Sequence, residues 1–119
     1  IILTSFNETG SSDSNDDISS LLKSQRINYP KKIIIGHLNI NSIRNKFVLL
    51  QEIVESNLDI FLITESKIDD SFPNSQFSIP DYRLFRKDRN VNGGGLLLYL
   101  NQNIPGKIIN SLQTKNGYL

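Results

Sequence analysis

Apolar positions recur along the chain in two patterns, and each pattern predicts a different element. The run Lys32 to Leu38, KIIIGHL, is short, β-branched and continuously apolar, which is typical of a buried strand. From Ile43 to Val54, apolar residues recur at spacings of four, three and four, as on one face of an amphipathic helix over residues 43–56. Ser42 precedes this stripe and suits a helix N-cap. A second apolar strand is predicted from Ile60 to Ile63.

Strand, helix and strand at these lengths predict a βαβ unit, whose parallel strands are joined by a right-handed crossover. Residues 66–81 contain two Pro and several Ser and predict an irregular loop. Two further strands, Tyr82 to Lys87 and Gly95 to Leu100, flank an Asn- and Gly-rich stretch that is typical of a hairpin turn. A later strand could begin at Ile108-Ile109. The fold class is therefore α/β.

The start of the chain has a different character. Residues 7–20, NETGSSDSNDDISS, are polar and without periodicity, so they are expected to bury too little apolar surface to become ordered. Asp17 could cap a short helix that runs through about Arg26. Pro30 closes this region. We therefore divide the chain into a disordered polar leader, residues 1–30, and one domain, residues 31–119.

Charge and composition narrow the class of protein. The net charge of +1 combines −4 over residues 1–20 with +5 over the remainder, which permits an anionic partner. There is no Cys, so disulfides and thiolate zinc sites are excluded. No apolar run approaches the ~20 residues that span a bilayer, and no secretory signal precedes the domain, so an intracellular protein without a membrane partner is expected. Because the sequence starts with Ile1, we interpret it as an excerpt or an incomplete gene product.

Two polar residues follow the two predicted parallel strands. In an open α/β sheet, ligands bind beyond the carboxyl ends of such strands. Asn39 follows the first strand and Glu65 follows the second, so their side chains are expected to converge. A lone carboxylate beside an amide suits Mg²⁺, which keeps several waters and prefers oxygen ligands. The alternative is that Asn39 turns the chain and Glu65 is a solvated strand end, and the spacing alone leaves this open.

Three segments occur together in an order that adds to this pattern. They are HLNINSIRNKF (His37 to Phe47), FLITESKIDDSFPNSQF (Phe61 to Phe77) and YRLFRKDRNVNGGGLLLYL (Tyr82 to Leu100). In order and spacing they resemble the opening of the endonuclease domain of non-LTR retrotransposons. That domain belongs to the endonuclease/exonuclease/phosphatase superfamily, which also contains apurinic endonucleases. The likeness covers roughly residues 31–106.

The resemblance implies a fold and an activity. The fold would be a four-layer α/β/β/α sandwich, of which this chain is the N-terminal half, with a βαβ unit followed by a β-hairpin. The activity would be Mg²⁺-dependent hydrolysis of phosphodiesters, with Mn²⁺ as a substitute and no small-molecule cofactor. Glu65 matches the family's catalytic, metal-binding Glu, and Asn39 matches the catalytic Asn that organises the scissile phosphate. The nick would expose a 3′ hydroxyl that primes reverse transcription, so DNA, a downstream reverse transcriptase domain and a nuclear location are expected.

The sequence also departs from the family pattern. The family's second half supplies a Tyr, an Asp-x-Asn element and a terminal Asp-His pair. An Asp-x-Asn triplet, Asp13-Ser14-Asn15, lies ahead of the first strand of the domain, away from the position of the family's element. The single histidine, His37, lies inside an apolar strand, and we interpret it as structural. The fragment is therefore expected to be inactive alone.

Basic residues on and beside the hairpin are candidate DNA contacts. Strand alternation places Arg83 and Lys87 on one face and Arg86 on the other. Phosphate contacts of this kind supply sequence-independent affinity. The residues assigned to nucleic-acid binding are Asn41, Arg86, Lys87 and Arg89. The alternative is an ordinary charged edge that discourages strand pairing.

Other functions remain open. One is a catalytically dead retroelement remnant, or a DNA-binding module without turnover. Another keeps the superfamily but takes a lipid or inositol phosphate, although the hairpin resembles the retrotransposon branch. An Asp-x-Asn and a later Asp-His in the downstream sequence, followed by a reverse transcriptase, would support the nuclease.

Overall fold

A computed structural model describes residues 2–7 and 12–104. These residues form a small mixed α/β domain with one five-stranded sheet and two α-helices. The elements are β1 (Ile2–Asn7), α1 (Ser12–Asn28), β2 (Ile34–Asn39), α2 (Phe47–Asn57), β3 (Ile60–Thr64), β4 (Tyr82–Lys87) and β5 (Leu96–Asn101), with a short 3-10 helix at Asn74–Phe77. In the described part of the chain, no helix is long and apolar enough to cross a membrane.

The strand order is β1-β2-β3-β5-β4. Strands β1, β2 and β3 are parallel, and β5 runs antiparallel to both β3 and β4. Each parallel pair is joined by a helix. Right-handed crossovers that step in one direction put both helices on the same face of the sheet, where α1 contacts α2.

The hydrophobic core lies between this face and the helices. Side chains of β2 alternate between buried and partly exposed, with Ile34 and Leu38 fully buried. A β-carbon at Gly36, between them, would lie 2.9 Å from the side chain of Leu58, which follows α2, and 3.0 Å from that of Phe61 in β3, so these two side chains pack directly on the glycine. The core residues that the helices contribute are Ile18, Leu22, Leu50, Ile53 and Val54.

The opposite face of the sheet has no helix over it among the described residues. We call it the open face, and its apolar residues include Leu3, Ile35, Leu62, Phe85 and Leu98. Leu3 is 74% exposed, and the other four are partly exposed. An uncovered face of this kind is what half of a sandwich would present.

The predicted disordered leader over residues 1–30 is wrong for the residues that the structure describes. Ile2–Asn7 forms β1, and the helix suggested from Asp17 through Arg26 is part of the longer α1. Ile18 and Leu22 pack into the core, and Arg26 pairs with Asp59 at 2.7 Å. The order comes from pairing with distant parts of the chain, which local composition does not reveal.

The βαβ unit and the hairpin are confirmed, because β2 and β3 are parallel and β4 and β5 are antiparallel neighbours. The start of α2 was predicted wrongly. Ser42 has a φ of 81° and is no helix cap, and the helix begins at Phe47 after Lys46. Ile43 is fully buried in a turn, so it extended the apolar stripe without being helical. The strand suggested at Ile108 lies outside the described residues.

Candidate functional site

The carboxyl ends of β2 and β3 lie side by side. Asn39 pairs with Thr64 in the parallel register, so Glu65 follows at the same edge of the sheet. The main chain continues this pairing beyond the strands, because Ser42 N donates to Glu65 O at 2.8 Å and Ile43 N donates to Ser66 O at 3.0 Å. The structure thus places both predicted catalytic residues at one edge. Their convergence on one metal ion stays a prediction.

Unusual backbone geometry is concentrated at this edge. Within residues 2–7 and 12–104, five non-glycine residues have positive φ, and four of them are here: Asn41 (49°), Ser42 (81°), Glu65 (59°) and Lys67 (56°). The left-handed region disfavours residues with a β-carbon, at a cost of order 1–3 kcal/mol each. Such strain persists only where the surroundings impose it, and it clusters at binding and catalytic sites.

The carboxylate of Glu65 is held by the start of β5. Its Oε2 accepts a hydrogen bond from Gly94 N at 3.0 Å, while Gly94 O accepts one from Lys67 N at 3.0 Å. Gly94 and Gly95 have φ values of 71° and 98°, which only glycine adopts easily. The Gly-rich turn therefore fixes the side chain of Glu65 through the main chain.

A cavity of about 330 Å³ opens beside Glu65. It is lined by Thr64, Glu65, Lys87, Asp88, Arg89, Gly94, Gly95 and Leu96. Asp88 is paired with Arg86 at 2.6 Å, so Glu65 shares the cavity chiefly with the cations Lys87 and Arg89. A carboxylate next to two cations suits a ligand that combines a metal ion with an anion.

Two lysines that the sequence did not single out surround Asn41. Lys67 Nζ donates a hydrogen bond to Asn41 Oδ1, and Lys46 Nζ donates to Asn41 O at 3.1 Å. Asn41 itself is exposed. The only sequence signal for Lys67 is its position two residues after Glu65, whereas its contact with Asn41 spans 26 residues.

Arg86 has a structural environment. Nε and Nη2 donate to the Asp88 carboxylate at 3.1 and 2.6 Å. Nη1 donates to Phe72 O and Asn74 Oδ1, and Nη2 also donates to Asp69 O at 2.9 Å. All five N–H groups of the guanidinium are thereby used, so in this conformation Arg86 anchors the 66–81 loop and keeps no donor for a phosphate. Its assignment to DNA stays a prediction that this geometry does not favour.

The same loop carries Asp69. Hydrogen bonds from Ser71, first from its hydroxyl and then from its main-chain N, hold the pKa of Asp69 below its ordinary value. These bonds make an Asx-type turn at the surface. The turn lies outside the residues that line the cavity.

Within the described residues, no group of three or more His, Cys, Asp or Glu side chains is placed to hold a metal ion. Comparison with known proteins does not bear on whether a metal ion binds here. The chain matches no protein-family model, no curated protein and no solved structure. The resemblance to retrotransposon endonucleases rests on the sequence motifs alone.

Proposed function

We propose that this chain is the N-terminal half of a Mg²⁺-dependent endonuclease domain that nicks DNA to prime reverse transcription of a retrotransposon. One observation carries the proposal. The carboxylate of Glu65 is fixed by the Gly94 amide at the carboxyl edge of parallel strands, in a cavity that also contains Lys87 and Arg89. The motifs that resemble the family's first half meet at this edge.

The donors at this edge fit Mg²⁺. Glu65 Oε2 is occupied by Gly94 N, and Oε1 has no hydrogen bond to any described residue. Asn39, which carries a side-chain amide, is the last residue of the neighbouring strand, β2. One carboxylate, an amide oxygen and waters are a common Mg²⁺ set, and Mn²⁺ takes the same ligands. When bound, the ion supplies neutralisation of charge on the phosphate and on the leaving 3′ oxygen.

DNA would approach across the cavity. Lys87 and Arg89 are exposed on the hairpin side, and Lys67 and Asn41 lie on the other side of Glu65. Contacts from these cations to phosphates give affinity without sequence preference. Arg86 has a different role, because its guanidinium is spent on the 66–81 loop.

The rest of the domain would complete both fold and chemistry. A second sheet packed on the open face would make the four-layer sandwich. It would bring the family's own Asp-x-Asn element and its terminal Asp-His pair. A reverse transcriptase domain downstream and a nuclear location belong to the same proposal.

The metal site can be tested on the chain itself. Mn²⁺ added to ¹⁵N-labelled protein should broaden the amide signals near Glu65 and Asn39, because paramagnetic broadening falls steeply with distance. Glu65→Gln should remove the broadening, whereas Glu55→Gln, an exposed carboxylate on α2, should not. Equal broadening in wild type and Glu65→Gln would overturn the metal assignment.

The activity needs the chain extended by its downstream coding sequence. Glu65→Gln should lower Mg²⁺-dependent nicking of supercoiled plasmid by about 100-fold or more, and Glu55→Gln should leave it unchanged. The 119-residue chain alone should not nick. DNA binding by the extended protein without any nicking would favour the alternative, a retroelement remnant or binding module without turnover.

A further inference from the structure

A chain of hydrogen bonds crosses three strands on the open face. Ser5 Oγ lies 2.9 Å from His37 Nδ1, and His37 Nε2 lies 3.0 Å from Thr64 Oγ1. The three residues belong to β1, β2 and β3. Both ring nitrogens of the single histidine therefore take part in hydrogen bonds. This series of hydrogen bonds ends at Thr64, the residue before Glu65.

The direction of these bonds depends on which ring nitrogen carries the proton. If Nε2 is protonated, Ser5 donates to Nδ1 and Nε2–H donates to Thr64 Oγ1, so the Thr64 hydroxyl keeps its own hydrogen to donate elsewhere. If Nδ1 is protonated, the Thr64 hydroxyl must donate to Nε2, and only its lone pair faces away from the ring. The imidazole thus decides whether Thr64 is a donor or an acceptor.

Thr64 lines the same cavity as Lys87 and Arg89. We propose that the Thr64 hydroxyl and these two cations form a subsite for one phosphate group, and that His37 and Ser5 are positioning residues that make Thr64 a donor. The inference deepens the proposed function, which would identify that phosphate as one of the DNA backbone. The subsite requires an anion with tetrahedrally arranged oxygens and does not recognise the DNA bases.

The physical basis is the strength of hydrogen bonds to charged acceptors. A hydroxyl that donates to a phosphate oxygen makes a shorter and stronger bond than it makes to a neutral group. An imidazole N–H donated to the same hydroxyl oxygen polarises it further, because bonds in a chain reinforce one another. A bound phosphate would therefore select the tautomer with a protonated Nε2.

The tautomer can be read directly, because one histidine gives one pair of imidazole ¹⁵N signals. Inorganic phosphate should move these signals toward the tautomer with protonated Nε2. Chloride at equal ionic strength should not. Saturating phosphate that leaves the tautomer balance unchanged would overturn the role of His37, unless wild type already shows the protonated-Nε2 form alone, which would support it.

Substitutions test the hydroxyl. Thr64→Val keeps a β-branched side chain in the strand and removes only the hydroxyl, so the fold should persist. It should raise the Kd for inorganic phosphate about tenfold, while Thr64→Ser should restore wild-type binding. Ser5→Ala should weaken binding less, because it acts through the imidazole. A Kd unchanged in Thr64→Val would overturn the subsite.

A second ligand separates this inference from the function it rests on. If the phosphate belongs to DNA, a short duplex should compete with inorganic phosphate, and Thr64→Val should weaken both. Nicking that needs Glu65 but not Thr64 would sink the subsite and leave the nuclease standing. Phosphate binding that needs Thr64, in an extended protein that never nicks, would support the subsite and sink the nuclease.

Discussion

A β-carbon on Gly95 would overlap the hydroxyl oxygen of Ser66, which is fully buried and has no hydrogen-bond partner among the described residues. Gly95 also has a φ of 98°. Ser66, the residue after Glu65, therefore packs directly against the main chain of Gly95. This contact keeps the Gly-rich turn against the end of β3, where Gly94 reaches the carboxylate of Glu65.

Replacement of Gly95 by Ala should destabilise the fold by about 1–3 kcal/mol, because positive φ and steric overlap add together. Gly93→Ala is the matched control, since a β-carbon there would meet nothing within 4 Å. Urea denaturation of the two variants measures the difference. Equal midpoints would contradict the packing of Gly95 on Ser66.

Ser66→Ala should be neutral or stabilising by about 1 kcal/mol, because it removes a buried hydroxyl without a partner. The same substitution should recover part of the loss in Gly95→Ala, leaving the cost of the positive φ. A double-mutant cycle on the free energy of unfolding measures this coupling. Strictly additive effects would mean that the two residues do not touch.

Substitutions should distinguish the structural role of Arg86 from the DNA contacts proposed for Lys87 and Arg89. Arg86→Lys should lower the free energy of unfolding by about 2 kcal/mol or more, since an ammonium cannot reproduce five directed bonds. Lys87→Ala and Arg89→Ala should leave stability nearly unchanged. In the extended protein, each should reduce the slope of log binding constant for DNA against log salt by about 1, and Arg86→Gln, which also removes a charge, should not. A slope reduced by about 1 in folded Arg86→Gln would restore Arg86 as a DNA contact.

The half-buried Tyr82 and the fully buried Tyr99 should make the fold sensitive to alkali. Burial raises the pKa of Tyr82, whose hydroxyl donates to Leu58 O at 2.6 Å, and burial likewise raises the pKa of Tyr99. The unfolded chain releases these protons at an ordinary pKa near 10, and the folded chain releases them later, so stability is full below about pH 10 and falls above it.

Stability measured by urea between about pH 8 and pH 11 tests this. Tyr82→Phe and Tyr99→Phe should each be less stable at neutral pH and should each flatten the alkaline decline. Tyr29→Phe, at an exposed position, is the control and should change neither. If the alkaline decline stayed equally steep in Tyr82→Phe and in Tyr99→Phe, the raised pKa values of these tyrosines would not be its cause.

The open face should make the isolated chain associate. Its leucines and Phe85 lie on neighbouring strands and leave a continuous, partly exposed apolar surface, and such patches mark association surfaces. Purified protein should bind a hydrophobic dye and sediment above monomer mass. Leu98→Lys, at the centre of this face, should suppress both. A monodisperse wild-type monomer without dye binding would show that the face is closed by the chain itself.

Periodicity predicted the elements whose order depends on nearby residues. The βαβ unit and the hairpin follow from local apolar patterns, and both are present. The pattern failed at Ile43, where a buried residue in a turn continued a helical spacing, and over β1 and α1, whose order depends on pairing with β2 and packing on α2. Composition reports what a segment can bury alone, and these segments bury surface with distant partners.

In the candidate site, too, the sequence could predict some residues and not others. Asn39 and Glu65 could be found because each directly follows an apolar strand, and the fold brings their strands together. Three neighbours of Glu65 could not be found in this way, because each makes its contact far along the chain. Lys67 contacts Asn41, Thr64 contacts His37 and Ser66 contacts Gly95, at separations of 26, 27 and 29 residues. Arg86 illustrates the reverse: in sequence it is one of several basic residues, and only its five bonds distinguish it from Lys87.

The segments that carry the site are tied together by main-chain bonds, from Ser42 to Glu65, from Ile43 to Ser66 and from Lys67 to Gly94. Main-chain atoms are the same whatever the side chain. A copy of this sequence that has exchanged Glu65 for another residue able to adopt its backbone would therefore keep the same scaffold. Loss of catalysis and loss of folding would then occur by separate mutations. Under the proposed function, inactive copies would persist as folded proteins that keep Lys87 and Arg89 beside the cavity, and they would compete with active copies for DNA.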